Sequence, residues 1–126
     1  MTQREVFEWR RREVADRILA DPDHFDMHVW GTRSPQCGTN ACLAGHAILL
    51  AEEEGKCTPV WSEQGFGSAE MRAVKVYSKG LMDIGSLEDF AMDYLGMTNS
   101  CLFHELDMGA EEAAKALLDE PYAEES

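Results

Sequence analysis

Apolar residues return along positions 2–20 at Phe7, Val14 and Ile18, with Val6 and Leu19 beside that stripe. Those spacings lie on one face of a helix. Arg10, Arg11, Arg12 and Arg17 then fall on its wet side. Asp21 precedes Pro22 and is pushed out of the α region, which ends the helix. Positions 23–36 lose the periodicity, and Gly31 and Ser34-Pro35 punctuate a loop. A second helix is predicted from Thr39 or Asn40, either able to cap it, to Glu54, with Gly55 as its stop. Ala41, Ala44, Gly45, Ala47 and Ile48 make it apolar nearly all round, the signature of a buried centre. Ala41 and Gly45 are small enough to let another element approach closely.

Positions 56–85 are ambiguous. Residues 68–77 read as a helix capped by Ser68, with a hairpin of 58–61 and 73–77 as the alternative. Ser86 opens a clearer helix. Leu87, Phe90, Ala91, Tyr94 and Leu95 form its apolar stripe, Asp89 completes a capping-box pattern, and Gly96 ends it. Thr98 is placed to cap a short helix through Leu106. A final helix over 109–118 turns Ala113, Leu117 and Leu118 inward, and a frayed tail begins at Tyr122. Trp9, Trp30 and Trp61 are expected as core or core-edge anchors.

The expected fold is therefore mainly α. It is a single compact helical domain of four to six helices around a buried central helix, with a small β-hairpin within 56–80 as the alternative. Its 126 residues and 44% hydrophobic content suit one domain. Along it lie an N-terminal helix and loop (1–36), the central helix (37–55), a variable region (56–85) and acidic C-terminal helices (86–121). No apolar run approaches the ~20 residues that span a bilayer. The first ten residues lack a signal-peptide core, so a cytoplasmic protein is expected.

Charge sharpens this picture. The chain carries 24 Asp+Glu against 11 Lys+Arg, a formal net charge of −13. Residues 1–36 contribute −1 and residues 37–126 contribute −12. Such a surface repels phosphate backbones, which argues against direct nucleic-acid binding, and attracts a protein with a basic surface.

The run Cys37-Gly38-Thr39-x-x-Cys42-Leu43-Ala44-Gly45-His46-Ala47 follows Phe25-Asp26-Met27 and Trp30. Together with Ile18-Leu19-Ala20-Asp21-Pro22, Leu95-Gly96-Met97-Thr98 and Leu102-Phe103, it resembles an uncharacterised family of small proteins from bacteria and their phages. The resemblance covers most of the chain outside 56–85. It implies a shared fold and no assigned activity. Many of those proteins have Trp where this chain has His46, which speaks against an obligatory catalytic or ligating role there.

Three chemistries are candidates. Glu105, Asp107, Glu111, Glu112, Asp119 and Glu120 are expected on or beside one helical hairpin, where fixed carboxylates imitate a phosphate row. They would occupy the basic groove of a host nucleic-acid-binding protein, such as a guided defence complex, and block it. The second candidate is a thiol enzyme. Cys37 at a helix N-terminus would be the nucleophile, the N–H groups of Gly38 and Thr39 the oxyanion donors, and His28, His46 or His104 the base. The third is a structural zinc site through Cys37, Cys42 and His46, completed by Cys57, Cys101, His24, His28 or His104. Cys42 and His46 share a helix face, but no second close Cys/His pair follows. The plainer reading of these residues is a turn that caps a buried helix, with a small buried thiol and a hydrogen-bonded histidine. No Gly-rich phosphate loop and no His-Glu-x-x-His occurs.

Overall fold

The computed structural model describes residues 1–35, 38–78 and 80–123. Four helices stand on one side of a five-stranded antiparallel sheet: α1 (Gln3–Ala20), β1 (Gly31–Ser34), β2 (Gly38–Ala41), α2 (Leu43–Glu53), β3 (Thr58–Gly65), β4 (Ser68–Ser78), β5 (Leu81–Gly85), α3 (Leu87–Leu95) and α4 (Ala110–Asp119). The expected mainly helical bundle is thus corrected to a mixed α/β fold. Two 3-10 turns, Pro22–His24 and Cys101–His104, complete it.

The long strand β4 organises the sheet. It pairs with β3 along one edge, while β1 and β5 share the other edge end to end. β1 in turn pairs with β2, Gly31 opposite Ala41 through Ser34 opposite Gly38. A bulge explains why β4 read as a helix. Val60 faces Ala73 and Trp61 faces Met71, so Arg72 has no partner. The bulge turns Met71 and Val74 to the same buried face at a spacing of three, which imitates a helical repeat. Beyond it the Val74-Lys75-Val76-Tyr77 alternation is that of a strand.

Thr39 and Asn40 lie in β2 and cap nothing. The cap of α2 is Cys42, whose Sγ accepts from the Gly45 N–H at 3.4 Å. α2 is the buried centre, as expected: Leu43, Ala44, Gly45, Ala47, Ile48, Leu50 and Ala51 are all buried. The close approach at Gly45 is made by the Trp30 carbonyl, whose oxygen would lie 1.7 Å from a Cβ at that position.

The sheet packs on α2 and α3, these pack on α1, and α1 packs on α4. The outer face of the sheet and α4 are therefore opposite poles of the molecule. α1 starts with a capping box, Thr2 and Glu5 exchanging hydrogen bonds of 3.1 and 3.2 Å. Its buried stripe is Phe7, Arg11, Val14, Ala15 and Ile18. Arg11 is fully buried, not on the wet side. Its guanidinium donates to the carbonyls of Leu95 (2.8 Å), Leu117 (3.4 Å), Gly96 and Pro121 (3.1 Å each) and Glu120. It also lies 3.8 Å from the centre of the Tyr122 ring. One cation thus ties the ends of α3 and α4 to α1. Burial pushes it below the ordinary guanidinium range, while the neighbouring Tyr122 and Glu120 favour its charge.

Tyr122 is consequently no frayed residue. It bridges to Met97, is half-buried, and stacks with Phe7 at 6.4 Å. Gly96 closes α3 with φ +67°, as its position past Leu95 predicts, and a Cβ there would meet the Phe7 ring at 2.3 Å. Trp9 is 43% exposed and anchors no core, whereas Trp30 and Trp61 are partly buried against it. The predicted helix through Leu106 is only the 3-10 turn at Cys101–His104.

Candidate functional site

The acidic C-terminal residues spread along α4 and the loop before it. Glu105 and Asp107 lie in that loop. Glu111 and Glu112 occupy the first turn of α4, where the helix dipole favours carboxylates. Asp119 sits in the last turn, which has no basic residue, so the dipole disfavours it. The expected helical hairpin is therefore one ten-residue helix, about 15 Å long, with a preceding loop.

Of the six carboxylates, Glu105, Asp107, Glu111, Glu112 and Asp119 make no ion pair or side-chain hydrogen bond among the described residues. All five are exposed. Glu120 differs: it is half-buried and acts on Arg11 through both its carbonyl and its charge. Elsewhere Glu8 pairs with Arg4, Glu13 and Glu53 with Arg17, Glu54 with Arg10 and Glu70 with Arg72, while Asp16, Glu52, Glu63 and Asp93 are exposed and, like the five, without an ion pair among the described residues. Between α1 and α4 runs a groove of 430 Å³ in which Leu19, Ala114 and Leu118 lie among Glu111, Lys115 and Asp119. Leu19 and Leu118 are both partly open to solvent. An apolar centre inside a charged rim is the anatomy of a protein-binding surface.

The residues weighed for thiol and zinc chemistry are placed differently. Cys37 lies outside the described residues. Cys42 is buried, its Sγ engaged by Gly45 and 3.9 Å from the Trp30 carbonyl, and burial pushes its thiol above the ordinary range. His46 donates Nδ1–H to the Cys42 carbonyl at 2.9 Å and packs near Phe25. Burial holds it below the usual imidazole range. This is the neutral tautomer that donates through Nδ1 and keeps Nε2 as the ring's basic nitrogen.

A small cavity of 260 Å³ brings Cys42, His28 and His104 to one wall with Trp30 and Phe103. His28 is hydrogen-bonded through Nε2 to the Leu106 carbonyl at 3.2 Å, and His104 to Glu88 at 3.2 Å. Cys57 points its thiol to the Ile48 carbonyl, and burial pushes it up to about 11. Among the described residues no three His, Cys, Asp or Glu side chains are placed to hold a metal ion.

One histidine that sequence reasoning did not pair with the thiol does approach its segment. His24 Nδ1 is 2.7 Å from Asp21 Oδ2, and its Nε2 would lie 3.6 Å from a Cβ on Gly38, the residue after Cys37. The signal was the i, i+3 spacing of Asp21 and His24 across Pro22, overlooked because the turn there read only as a helix stop.

A groove of 580 Å³ lies between α1, α3 and the end of β4. Arg10 covers the Tyr94 ring at 4.0 Å and donates to the Tyr94 carbonyl, Tyr94 hydrogen-bonds Glu54, and Phe90 stacks on Tyr94 at 6.0 Å. Its serine, Ser86, is occupied as the cap of α3. These contacts tie elements together and offer no nucleophile.

No family model, curated protein or solved structure matches the chain. Among the described residues no helix is long and apolar enough to cross a membrane.

Proposed function

We propose that the protein is a non-enzymatic acidic interaction protein whose α4 pole docks on the basic surface of another protein and blocks it. One observation carries this reading: five exposed carboxylates are gathered within residues 105–119, on α4 and the loop before it, and none has a cationic partner among the described residues. Asp119 supports this, since it sits where its own helix disfavours it. The groove at Leu19 and Leu118 supplies an apolar centre for the contact. The resemblance to small bacterial and phage proteins favours a phage-encoded inhibitor and a host nucleic-acid-binding complex as its target. The partner is a protein with its phosphate-binding surface free. Neither nucleic acid itself nor a membrane is bound.

The test is capture of partners from bacterial lysate on the immobilised protein at ~0.05 M and ~0.5 M salt, where the screening length falls to a few ångströms. A discrete nucleic-acid-binding protein, released by salt and by competing DNA, is the expected result. The variant Glu105→Lys, Glu111→Lys, Glu112→Lys, Asp119→Lys should capture none; Glu120 is left intact because it serves Arg11. Equal capture by that variant would refute the proposal.

A second reading keeps one observation. The Asp21–His24 pair lies beside Gly38, the residue that follows Cys37 in the sequence, and a carboxylate on Nδ1 is how a histidine base is oriented. Iodoacetamide labelling of Cys37 across pH tests it: a thiol titrating near the ordinary ~8.5, with no change in the His24→Ala variant, removes this reading.

A further inference from the structure

We infer that the protein assembles head to tail with further copies of itself, Phe66 at the β3–β4 turn of one copy seated in the groove between α1, α3 and the end of β4 of the next. Phe66 and Gly67 form the two-residue loop between Gly65 and Ser68, which pair. Both have positive φ, +53° and +79°, as a type I′ turn requires. That turn favours Asn-Gly, Asp-Gly or Gly-Gly, and Phe66 is the one described non-glycine residue with positive φ. Its ring is also fully exposed. Neither the turn nor the core of this chain has a use for an aromatic ring there. A rigid aromatic side chain standing clear of its own fold is the kind of anchor that dominates a contact once a pocket receives it.

The chain itself carries such a pocket. Val76, Tyr77, Phe90 and Tyr94 lie in the walls of the 580 Å³ groove, which has room for one aromatic side chain and the turn that bears it. Position and charge select the occupant. β4 runs from Ser68, beside the turn, to Val76 and Tyr77 in the groove, about 30 Å away. Knob and groove thus lie toward opposite ends of one strand. β3 is antiparallel to β4 and sets Gly65 against Ser68 and Thr58 against Lys75. A copy translated along β4 therefore brings Glu63, on β3, to the β3 side of the next copy's groove, where Lys56 precedes Thr58. Glu63 and Lys56 are both exposed, and neither has an ion pair among the described residues. The carboxylates of the groove, Asp89 and Asp93, belong to α3, and Glu63 is the single charge in residues 61–68. A contact between two different surfaces related by translation does not close on itself, so it propagates as a chain. One phenylalanine buries about 150–250 Å². That is well below the ~800 Å² per partner of a stable interface, so the chains are weak, present at ~200 µM and absent at ~5 µM.

Sedimentation velocity on the full chain from ~5 to ~200 µM tests this. The average sedimentation coefficient should rise with concentration without settling at that of a dimer. Phe66→Asn installs the Asn-Gly pair the turn favours. It should stay monomeric throughout, with a urea midpoint equal to or above that of the unaltered chain. Tyr77→Glu, on an exposed wall of the groove, should also stay monomeric; if it unfolds, Lys56→Glu takes its place. Mixed in equal amounts, the Phe66→Asn and Tyr77→Glu proteins should form a heterodimer that grows no further, since the first supplies an intact groove and the second an intact knob. Leu118→Lys should assemble like the unaltered chain, which separates this contact from binding at the α4 pole. A monomer at ~200 µM, assembly that survives Phe66→Asn, or no heterodimer in the mixture would each overturn the inference.

Discussion

Arg11 and Ile84 sit in opposite halves of the molecule, each where its chemistry alone would not put it. On the helical side a cation is fully buried and spends its donors on five backbone carbonyls. On the sheet side an isoleucine stands 68% exposed on an edge strand. The first arrangement is closed: the donors engage carbonyls at the ends of α3 and α4, of which those of Gly96 and Leu117 also accept from backbone N–H groups. The second is open, since no described residue covers it. Disruption of the closed region therefore reads out in folding, and disruption of the open region leaves folding nearly unchanged.

The largest expected effect is at Gly45. Gly45→Ala drives a Cβ against the Trp30 carbonyl at 1.7 Å and the Ala41 Cβ at 2.7 Å, with no flexible side chain to yield. The loss should exceed the ~1–3 kcal/mol of ordinary overpacking, seen as failure to fold or a collapsed urea midpoint. Arg11→Met should follow, with about 3 kcal/mol lost by urea denaturation, because a similar volume remains but the Leu95 carbonyl loses its buried donor and the ends of α3 and α4 lose their common tie. A loss below ~1 kcal/mol would show that water reaches that carbonyl and that the clamp is not closed.

The third effect depends on pH. Burial lowers the His46 pKa in the folded state, so the unfolded chain takes up a proton first as pH falls. Its contribution to stability is complete above the ordinary imidazole value of 6.5 and is lost as pH falls through the depressed folded value. Thermal melts of the unaltered chain and of His46→Gln, compared between pH 7.5 and 5, should converge toward low pH. The smallest folding effect belongs to the open region: Met82→Lys should change stability by less than ~0.5 kcal/mol in urea denaturation. A large loss of stability there would erase the contrast between the two halves.

Sequence reading located the helices well where polarity and burial agree. The buried α2, the Ser86 cap, the Gly96 stop and the close approach at Gly45 were all legible, because each rests on local chemistry. The sheet was not. The Arg72 bulge gave β4 a helical spacing of inward residues, and β1 and β2, four residues each, are too short to show alternation. Arg11 was misplaced because an arginine in an apolar stripe signals the wet side unless its acceptors, about 84 to 110 positions away, are known. At the candidate site, sequence named the acidic residues but not which were paired. Only packing separates Glu120, held by Arg11, from the five carboxylates without partners.

The central claim is that those five carboxylates bind a basic protein surface. Its most direct test is the affinity of the captured partner for the unaltered chain and for the four-residue charge reversal, measured by calorimetry over a series of salt concentrations. Affinity should fall steeply with salt for the unaltered chain and be lost in the reversal at every salt. Equal affinity of both proteins, or binding indifferent to salt, would contradict it.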